Sequence, residues 1–139
     1  MSVNYFIAVV SREHVLKGVE GGFAQAGHGK AAPLQKMKKS DWLIYYSSKI
    51  SMNGDEICQC FTAIGEIKDD KIYQVEMSKD FIPKRRDVNY KKCHEVSILP
   101  LIEKLSFIKD KKHWGYQFRL GIVEIPKEDF ELISSLMLN

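Results

Sequence analysis

The chain has 139 residues, of which 45% are hydrophobic and 28% charged, with 9 glycines and 4 prolines. This composition is typical of one globular domain over residues 1–139 and excludes the disordered and fibrous classes. No apolar run is long enough to cross a membrane, and the short apolar run near the N-terminus lacks the basic leader of a secretory signal, so we expect a cytoplasmic protein.

The first predicted elements are a buried strand and a short helix. The apolar run at residues 5–10 predicts a strand buried on both faces, and Ser11 then offers an N-cap for a helix of about two turns that begins at Arg12. Residues 20–32 contain four glycines and no stable period, which indicates a shaped loop. Residues 33–37 predict one helical turn.

The middle of the chain predicts two strands and a hairpin. Residues 42–46 are apolar and aromatic, as in a buried strand, and residues 57–67 predict a long strand in which Gly65 marks a bulge or bend. A turn at residues 69–70 leads into a further run at residues 72–77. The two runs around this turn are typical of an antiparallel hairpin.

The last third of the chain begins with a basic loop over residues 82–94. Residues 96–105 then predict a short helix, residues 121–125 a final strand, and Pro126 the start of a C-terminal helix with acidic residues near its N-terminus. Strands predominate, and they do not alternate regularly with helices. We therefore predict an α+β fold in which a mainly antiparallel, twisted or closed sheet carries peripheral short helices.

Charge is distributed unevenly along the chain. Residues 82–94 carry five basic side chains against one acidic, and residues 109–119 carry four against one. Residues 53–70 carry five acidic side chains against one basic. The net charge of +3 is too small to indicate a polyanion partner, but this distribution predicts a surface with one basic face.

The cysteines indicate neither a disulfide framework nor a metal site. Their number is odd, and the two residues of the Cys58-x-Cys60 pair are closer together than zinc motifs require. Cys93 and His94 are adjacent, so in a strand their side chains would point to opposite faces and would not form a nucleophile–base pair. We find no complete catalytic constellation and expect no metal or cofactor, although catalytic groups can converge from distant parts of a chain.

The glycine-rich stretch at residues 24–31 is a candidate binding loop. It nearly matches a phosphate-binding loop, but Ala31 stands where that loop needs a hydroxyl and no buried strand precedes it, so we do not predict a nucleoside triphosphatase. Gln25, His28 and Lys30 still offer donors to a base edge or a phosphate. A packed surface loop without a ligand is the alternative.

Aromatic residues lie in or beside the loops and the basic segments, where their faces suit stacking on bases next to phosphates. Core packing is the alternative. In the strand that contains Trp42, Tyr45 and Tyr46 we expect core on at least one face, whereas Trp114 suits the core and the wall of a ligand site equally well. The aromatic residues concerned are Phe23, Trp42, Tyr45, Tyr46, Tyr90, Trp114, Tyr116 and Phe118.

Nine short runs, taken in chain order, form a recognisable pattern. They are VSREH at residues 10–14, GFAQ at 22–25, HGKAAPL at 28–34, YYS at 45–47, FTAIG at 61–65, YQVEM at 73–77, RRDV at 85–88, LSFI at 105–108 and WGYQFR at 114–119. Over nearly the whole chain this pattern resembles the EVE domain family of the PUA-like superfamily, whose relatives include YTH, ASCH and SRA domains. The resemblance implies a PUA-like, curved, mainly antiparallel β-barrel with peripheral short helices.

The resemblance also implies a nucleic-acid-binding module whose aromatic pocket admits one modified base of DNA or RNA, flipped out of its stack. Carried over by motif, the base pocket comprises Ser11, Phe23, Gln25, His28, Lys30, Tyr45, Trp114, Gly115 and Phe118, and the whole run 114–119 lines or gates it. The phosphate contacts comprise Lys30, Arg85, Arg86 and Arg119. The alternative for Arg85 and Arg86 is an internal salt-bridge network with Asp87. Relatives often carry Trp near the start of the first strand, where this chain has Tyr5 and Phe6.

These implications lead to three hypotheses for function. The first is a non-catalytic reader of a modified, methylated base, monomeric and cytoplasmic, without a cofactor or a membrane partner. The second is a small hydrolase that acts on a modified nucleoside or nucleotide, as in ASCH-type relatives. The third is a scaffold whose acidic C-terminal helix meets a protein partner.

Overall fold

A computed structural model describes residues 2–25 and 31–139. In these residues the chain forms an eight-stranded sheet with three α-helices around it. The strands are β1 (Tyr5–Val9), β2 (Phe23–Ala24), β3 (Trp42–Lys49), β4 (Ile57–Ile67), β5 (Tyr73–Gln74), β6 (Lys84–Tyr90), β7 (Val96–Ser97) and β8 (Ile122–Ile125). The helices are α1 (Arg12–Gly21), α2 (Ala31–Gln35) and α3 (Lys127–Met137), and 3₁₀ helices span Leu99–Leu101 and Tyr116–Leu120.

The sheet is curled into a half-barrel and is mainly antiparallel, with the strand order β2-β6-β4-β3-β1-β8. β5 pairs with β6 and β7 pairs with β4, off this path. β1 and β3 form the one parallel pair among the described strands. The predicted α+β class and mainly antiparallel pairing are therefore confirmed.

Both faces of the sheet are buried. One core cluster contains Tyr46 and packs against Phe130 of α3, and the other contains Tyr45 and packs against Val15 of α1. We call these sides the α3 face and the α1 face. Because Tyr45 and Tyr46 follow each other in β3, their side chains point to opposite faces.

Several predicted elements are confirmed. β4 has the predicted bounds, and β1 and β8 are each one residue shorter than predicted. α1 begins at Arg12 as predicted but runs for 10 residues, and Gly22 ends it with a left-handed φ of 74°. Ser11 precedes the helix without capping it through its side chain, whose Oγ lies 3.2 Å from Nδ1 of His14.

Three predictions for later elements were wrong. Residues 72–77 do not form a hairpin with β4, because the short strand β5 pairs with β6 instead. The basic segment is not a loop, because most of it forms β6, which pairs with β4 and β2. Residues 96–105 form β7 and a 3₁₀ helix rather than an α-helix, with Pro100 inside the 3₁₀ helix, where an α-helical hydrogen bond would need its missing N–H.

Gly65 marks a close approach of two strands rather than a bulge. It pairs with Leu43 of β3 and Tyr90 of β6, and the register shifts between β3 and β4 lie further along the strands. A Cβ at this position would come within 2.7 Å of the Asn89 carbonyl oxygen. The missing side chain is therefore what lets β4 and β6 pair here.

The loop predicted over residues 20–32 is shorter than expected. α1 extends to Gly21, β2 follows directly, and α2 begins at Ala31, two residues before the predicted turn. Across residues 2–25 and 31–139, no helix combines the length and the apolar character needed to cross a bilayer.

Candidate functional site

The first group of predicted site residues surrounds the guanidinium of Arg85. β2 pairs with β6, which brings Phe23 and Gln25 next to Arg85. Arg85 Nε donates to Gln25 Oε1 at 2.9 Å, and the guanidinium carbon lies 3.9 Å from the centroid of the Phe23 ring. Arg85 Nη2 donates to Met77 Sδ at 3.1 Å. We call these four residues the Arg85 cluster.

Tyr45 is buried and holds the backbone of one residue of this cluster, Gln25, by hydrogen bonds. Its side chain is 2% exposed, and its Oη donates to the Gln25 carbonyl oxygen at 3.4 Å and accepts from the Gln25 backbone N–H at 3.3 Å. Burial is the main cause that raises the pKa of Tyr45 to about 12, so the phenol stays neutral at physiological pH. Tyr45 therefore fixes the backbone of Gln25 and has no free ring face.

Arg86, a predicted phosphate contact, is instead buried within the protein. It is 2% exposed, and its Nη1 donates to the carbonyl oxygens of Leu34, at 2.9 Å, and Met37. Nε and Nη2 donate to the Asp69 carbonyl oxygen at 3.3 and 2.7 Å, and Nη2 also donates to Asp70 Oδ1 at 3.3 Å. These contacts use all five N–H groups of the guanidinium. The guanidinium therefore has no donor left for a phosphate, and its internal partners are backbone carbonyl oxygens and Asp70 rather than the expected Asp87, which accepts from Tyr73 Oη instead.

The second group lies on the α3 face, beside a cavity of about 500 Å³. A single segment, residues 108–117, lines this cavity, and we call it the cavity segment. Its lining side chains are Ile108, Lys109, Asp110, His113, Trp114, Tyr116 and Gln117. The volume lies in the range of small-ligand sites, about 300–1,000 Å³.

Hydrogen bonds hold the cavity segment and the two residues directly before it in place. Asp129 of α3 accepts from the backbone N–H groups of Ser106 and Phe107 at 2.9 and 2.8 Å, and from Ser106 Oγ at 2.9 Å. Lys111 Nζ donates to the carbonyl oxygens of Ile102 and Leu105 at 2.9 and 2.7 Å. Trp114 packs against the core of the α3 face. The shape of the cavity is therefore built into the fold.

Asp110 and His113 form a polar rim of the cavity. His113 Nδ1 lies 2.9 Å from Asp110 Oδ2, and Asp110 Oδ1 accepts from the backbone N–H groups of Lys112 and His113 at 3.1 and 3.2 Å. The side-chain hydrogen bond from His113 is the largest cause that lowers the pKa of Asp110. The pair closes a turn, and its side chains stay 62% and 65% exposed for Asp110 and His113.

Two cations, Lys109 and Arg119, lie at or next to this rim. Lys109 is exposed and lines the cavity. Arg119 is exposed as well, and its guanidinium carbon lies 3.8 Å from the centroid of the Tyr116 ring. A guanidinium stacked on an aromatic face keeps its edges free, so the pair suits a phosphate next to a stacked base.

One polar atom of the cavity segment lacks a partner. Gln117 lines the cavity, and its Oε1 is buried without a hydrogen bond to any described residue. Most buried side-chain acceptors in proteins are satisfied. This oxygen is therefore an exception within the described part of the chain.

The predicted pocket residues fall into two groups on opposite faces of the sheet. Gln25 of the Arg85 cluster is bonded to Tyr45 of the α1 face, whereas Trp114 packs on the α3 face. His28 and Lys30 lie outside the described residues. The sequence prediction therefore assigned to one pocket residues that lie in two separate regions of the fold.

The remaining predicted residues are Phe118, Gly115 and Ser11. Phe118 is 6% exposed and lies in the core, where its ring stacks on Tyr46 at a centroid distance of 4.4 Å. Gly115 is exposed at the start of the second 3₁₀ helix, and Ser11 is half-buried before α1.

Four lining residues of the cavity were not predicted as site residues. Their shared signal is position, because they lie inside the basic segment 109–119 or at its edge and precede the WGYQFR motif. They are Ile108, Lys109, Asp110 and His113.

The cysteines are free thiols and half-buried. Burial is the main cause that raises the pKa of Cys58 to about 11 and also raises that of Cys93. These groups are therefore protonated and weakly nucleophilic at neutral pH. Over residues 2–25 and 31–139, no three His, Cys, Asp or Glu side chains cluster in a way that could hold a metal ion.

Comparison with known sequences identifies close relatives. A family model described as EVE domain matches residues 4–136. The chain is 53% identical over 128 residues to a UPF0310 protein in the gntR 5′ region of Bacillus licheniformis, covering 92% of this chain and 87% of that protein. It is 48% identical over 137 residues to a UPF0310 protein of Bacillus subtilis, covering 99% of this chain and 94% of the relative.

Solved structures share the fold at low sequence identity. A hypothetical protein from Leishmania major aligns with a TM-score of 0.59 and 9% identity over 96% of this chain and 94% of its own. An NMR structure from Rhodopseudomonas palustris aligns with a TM-score of 0.57 and 19% identity over 96% of this chain and 92% of its own. These neighbours therefore share the predicted curved, mainly antiparallel α+β fold.

Proposed function

The chain belongs to the EVE domain family, and from this premise we propose that it binds nucleic acid and holds one modified base, such as a methylated base of DNA or RNA, in the cavity beside Trp114. The observation that carries the proposal is the cavity itself. It brings the aromatic side chains of Trp114 and Tyr116 together with Lys109 in one segment, and Arg119 lies next to it. In this proposal the protein recognises the modified base by binding it and catalyses no reaction on it.

The aromatic part of the lining supports the proposal. A base taken out of its stack exposes two π-faces, and stacking on aromatic side chains compensates for part of the lost stacking in the nucleic acid. Trp114 and Tyr116 line the same cavity within two positions of each other. We assign as stacking residues Trp114 and Tyr116, the latter through the ring face that Arg119 does not cover, since Tyr116 is 63% exposed.

Two basic side chains support binding of the phosphate backbone of the nucleic acid on either side of the base. Lys109 and Arg119 are exposed at or next to the rim and are the phosphate contacts that we propose. Their contribution would be independent of sequence and sensitive to salt. Selectivity for the modified base would then come from the cavity.

The proposed site contains fewer residues than the pocket that the family motifs implied. Phe23 and Gln25 contact Arg85 instead, and Tyr45 and Phe118 are buried in the two cores.

The observation that would favour a hydrolase is the Asp110–His113 pair, because a carboxylate bonded to a histidine can orient it as a general base. Both carboxylate oxygens of Asp110 accept hydrogen bonds within residues 110–113, so the pair has a structural role in an exposed turn. We therefore do not propose a hydrolase.

Replacing Trp114 with leucine should weaken binding of a short oligonucleotide with one methylated base about tenfold, because base–aromatic stacking contributes about 1–3 kcal/mol. Leucine keeps apolar packing against the core. Fluorescence anisotropy with a labelled oligonucleotide measures the affinity, and circular dichroism reports whether the variant is folded.

Leu120→Ser is the matched control. Leu120 is the last residue of the 3₁₀ helix that follows Trp114, is 76% exposed and does not line the cavity. Its replacement should leave affinity unchanged within about twofold. Equal affinities for the wild type and a folded Trp114→Leu protein would contradict the stacking role.

A further inference from the structure

We propose that Gln117 determines which bases the cavity accepts: its Oε1 receives a hydrogen bond from an exocyclic amino group, so the cavity favours amino-bearing bases over thymine and uracil. This inference rests on the function proposed above and names the class of base.

The first argument is that Gln117 Oε1 lacks a hydrogen-bond donor. This oxygen is buried and accepts no hydrogen bond from the described residues, although Gln117 belongs to the lining of the cavity. Leaving a buried acceptor unpaired is unfavourable, and such atoms concentrate where a ligand completes the bonding. A donor on a molecule in the cavity would complete it.

The second argument is the position of the side chain. Gln117 precedes Phe118, which is anchored in the core by stacking on Tyr46 at 4.4 Å. It follows Tyr116, one of the two aromatic residues of the lining. The backbone of Gln117 is thus fixed next to the proposed stacking residues. The terminal amide torsion of glutamine is broad, so a small rotation can turn Oε1 toward a bound base.

The third argument is the chemistry of the base edge. An exocyclic amino group projects beyond the ring and offers N–H donors, and glutamine pairs with the amino group and adjacent ring nitrogen of adenine in many complexes. The imino N–H of thymine and uracil lies between two carbonyl oxygens. Those oxygens would stand against Oε1 and weaken the contact. Adenine, cytosine and guanine, and their modified forms that keep an amino N–H, therefore fit this acceptor.

The test uses oligonucleotides that differ at one central base. The bases are adenine, N6-methyladenine, cytosine and 5-methylcytosine in one set, and thymine and uracil in the other. Each oligonucleotide is titrated into ¹⁵N-labelled wild type, Gln117→Met and Gln117→Glu, with the indole N–H of Trp114 as the signal for an occupied cavity. Methionine removes the acceptor at similar length, and glutamate keeps it.

For the wild type we expect at least one amino-bearing base to bind about tenfold more tightly than thymine and uracil, as for one specific base contact. Gln117→Met should reduce this ratio to about twofold or less, and Gln117→Glu should keep it above that of Gln117→Met. Gln117→Met should not lower the free energy of unfolding, because it removes an unpaired buried oxygen. A purely structural glutamine would give the opposite change in stability.

Each adverse outcome identifies what fails. If the Trp114 indole signal shifts but the wild type does not prefer amino-bearing bases, or if Gln117→Met retains that preference, the role of Gln117 is overturned and the proposed function stands. If no oligonucleotide shifts the Trp114 signal, both fail. If Gln117→Met does not fold, the base preference of the wild type and of Gln117→Glu decides.

Discussion

Replacing Arg86 with methionine should lower the free energy of unfolding by about 3–5 kcal/mol, because several carbonyl oxygens lose a charged donor and hydrogen bonds to charged groups contribute about 1.5–3 kcal/mol each. The guanidinium donates to the carbonyl oxygens of Leu34, Met37 and Asp69, which come from two other parts of the chain. Methionine fills similar space but leaves these acceptors without a donor. Urea unfolding followed by circular dichroism measures the difference.

Arg85→Met is the matched control for this prediction. The neighbouring residue Arg85 points to the other side of β6, where it bonds to Gln25 and stacks on Phe23 at 3.9 Å. A partly exposed cation–π contact contributes about 0.5–1 kcal/mol, so this variant should lose about 1 kcal/mol. A loss below about 1 kcal/mol for Arg86→Met would contradict its structural role.

Replacing Gly65 with alanine should lower the free energy of unfolding by about 2–3 kcal/mol, a large effect for one methyl group. A Cβ at Gly65 would lie 2.7 Å from the Asn89 carbonyl oxygen and 2.9 Å from Tyr90 Cα, which are backbone atoms of β6. Backbone cannot move aside as a flexible side chain can, so β4 and β6 would have to separate. Thermal and urea unfolding measure the loss.

Gly115→Ala provides the control for Gly65→Ala. A Cβ at Gly115 would meet no atom within 4 Å, and its φ of −78° is open to any residue. This substitution should change stability by no more than about 0.5 kcal/mol. If the two alanine variants unfold alike, the close approach at Gly65 does not limit stability.

The buried strands of the fold could be predicted from sequence, because their residues carry a direct signal. β1 and β4 are rich in apolar residues that pack in the two cores, and their bounds were predicted within one residue. Local hydrophobicity is enough for such strands because both faces of the sheet are covered.

β6 could not be predicted, and Arg86 is the reason. Its burial alternates as in a half-buried strand, with Arg86 and Val88 inside and Arg85 and Asp87 less buried. An arginine at an inward position hides this period, because charged residues are almost never fully buried unless they are paired. The partners that pair it come from other elements, which no local pattern reveals.

The candidate site could be predicted only in part. The WGYQFR motif pointed to Trp114, which lines the cavity, but the same prediction added Tyr45, which lies on the opposite face of the sheet. The cavity depends on Asp129, which binds Ser106 and Phe107 more than twenty residues away in sequence. Contacts of that range decide which motif residues meet, and they are absent from motif spacing.

The most direct test of the account is an NMR titration of ¹⁵N-labelled protein with matched short oligonucleotides, each plain or carrying one methylated or hydroxymethylated cytosine or one methylated adenine. We predict that one modified oligonucleotide selectively shifts the indole N–H of Trp114 and the amides of Gly115 and Gln117, while the indole of Trp42 stays in place. Trp42 packs against Phe130 at 5.3 Å, away from the cavity lining. If every oligonucleotide leaves the cavity segment unchanged, or shifts it equally with and without the modification, the cavity is not a reader of modified bases.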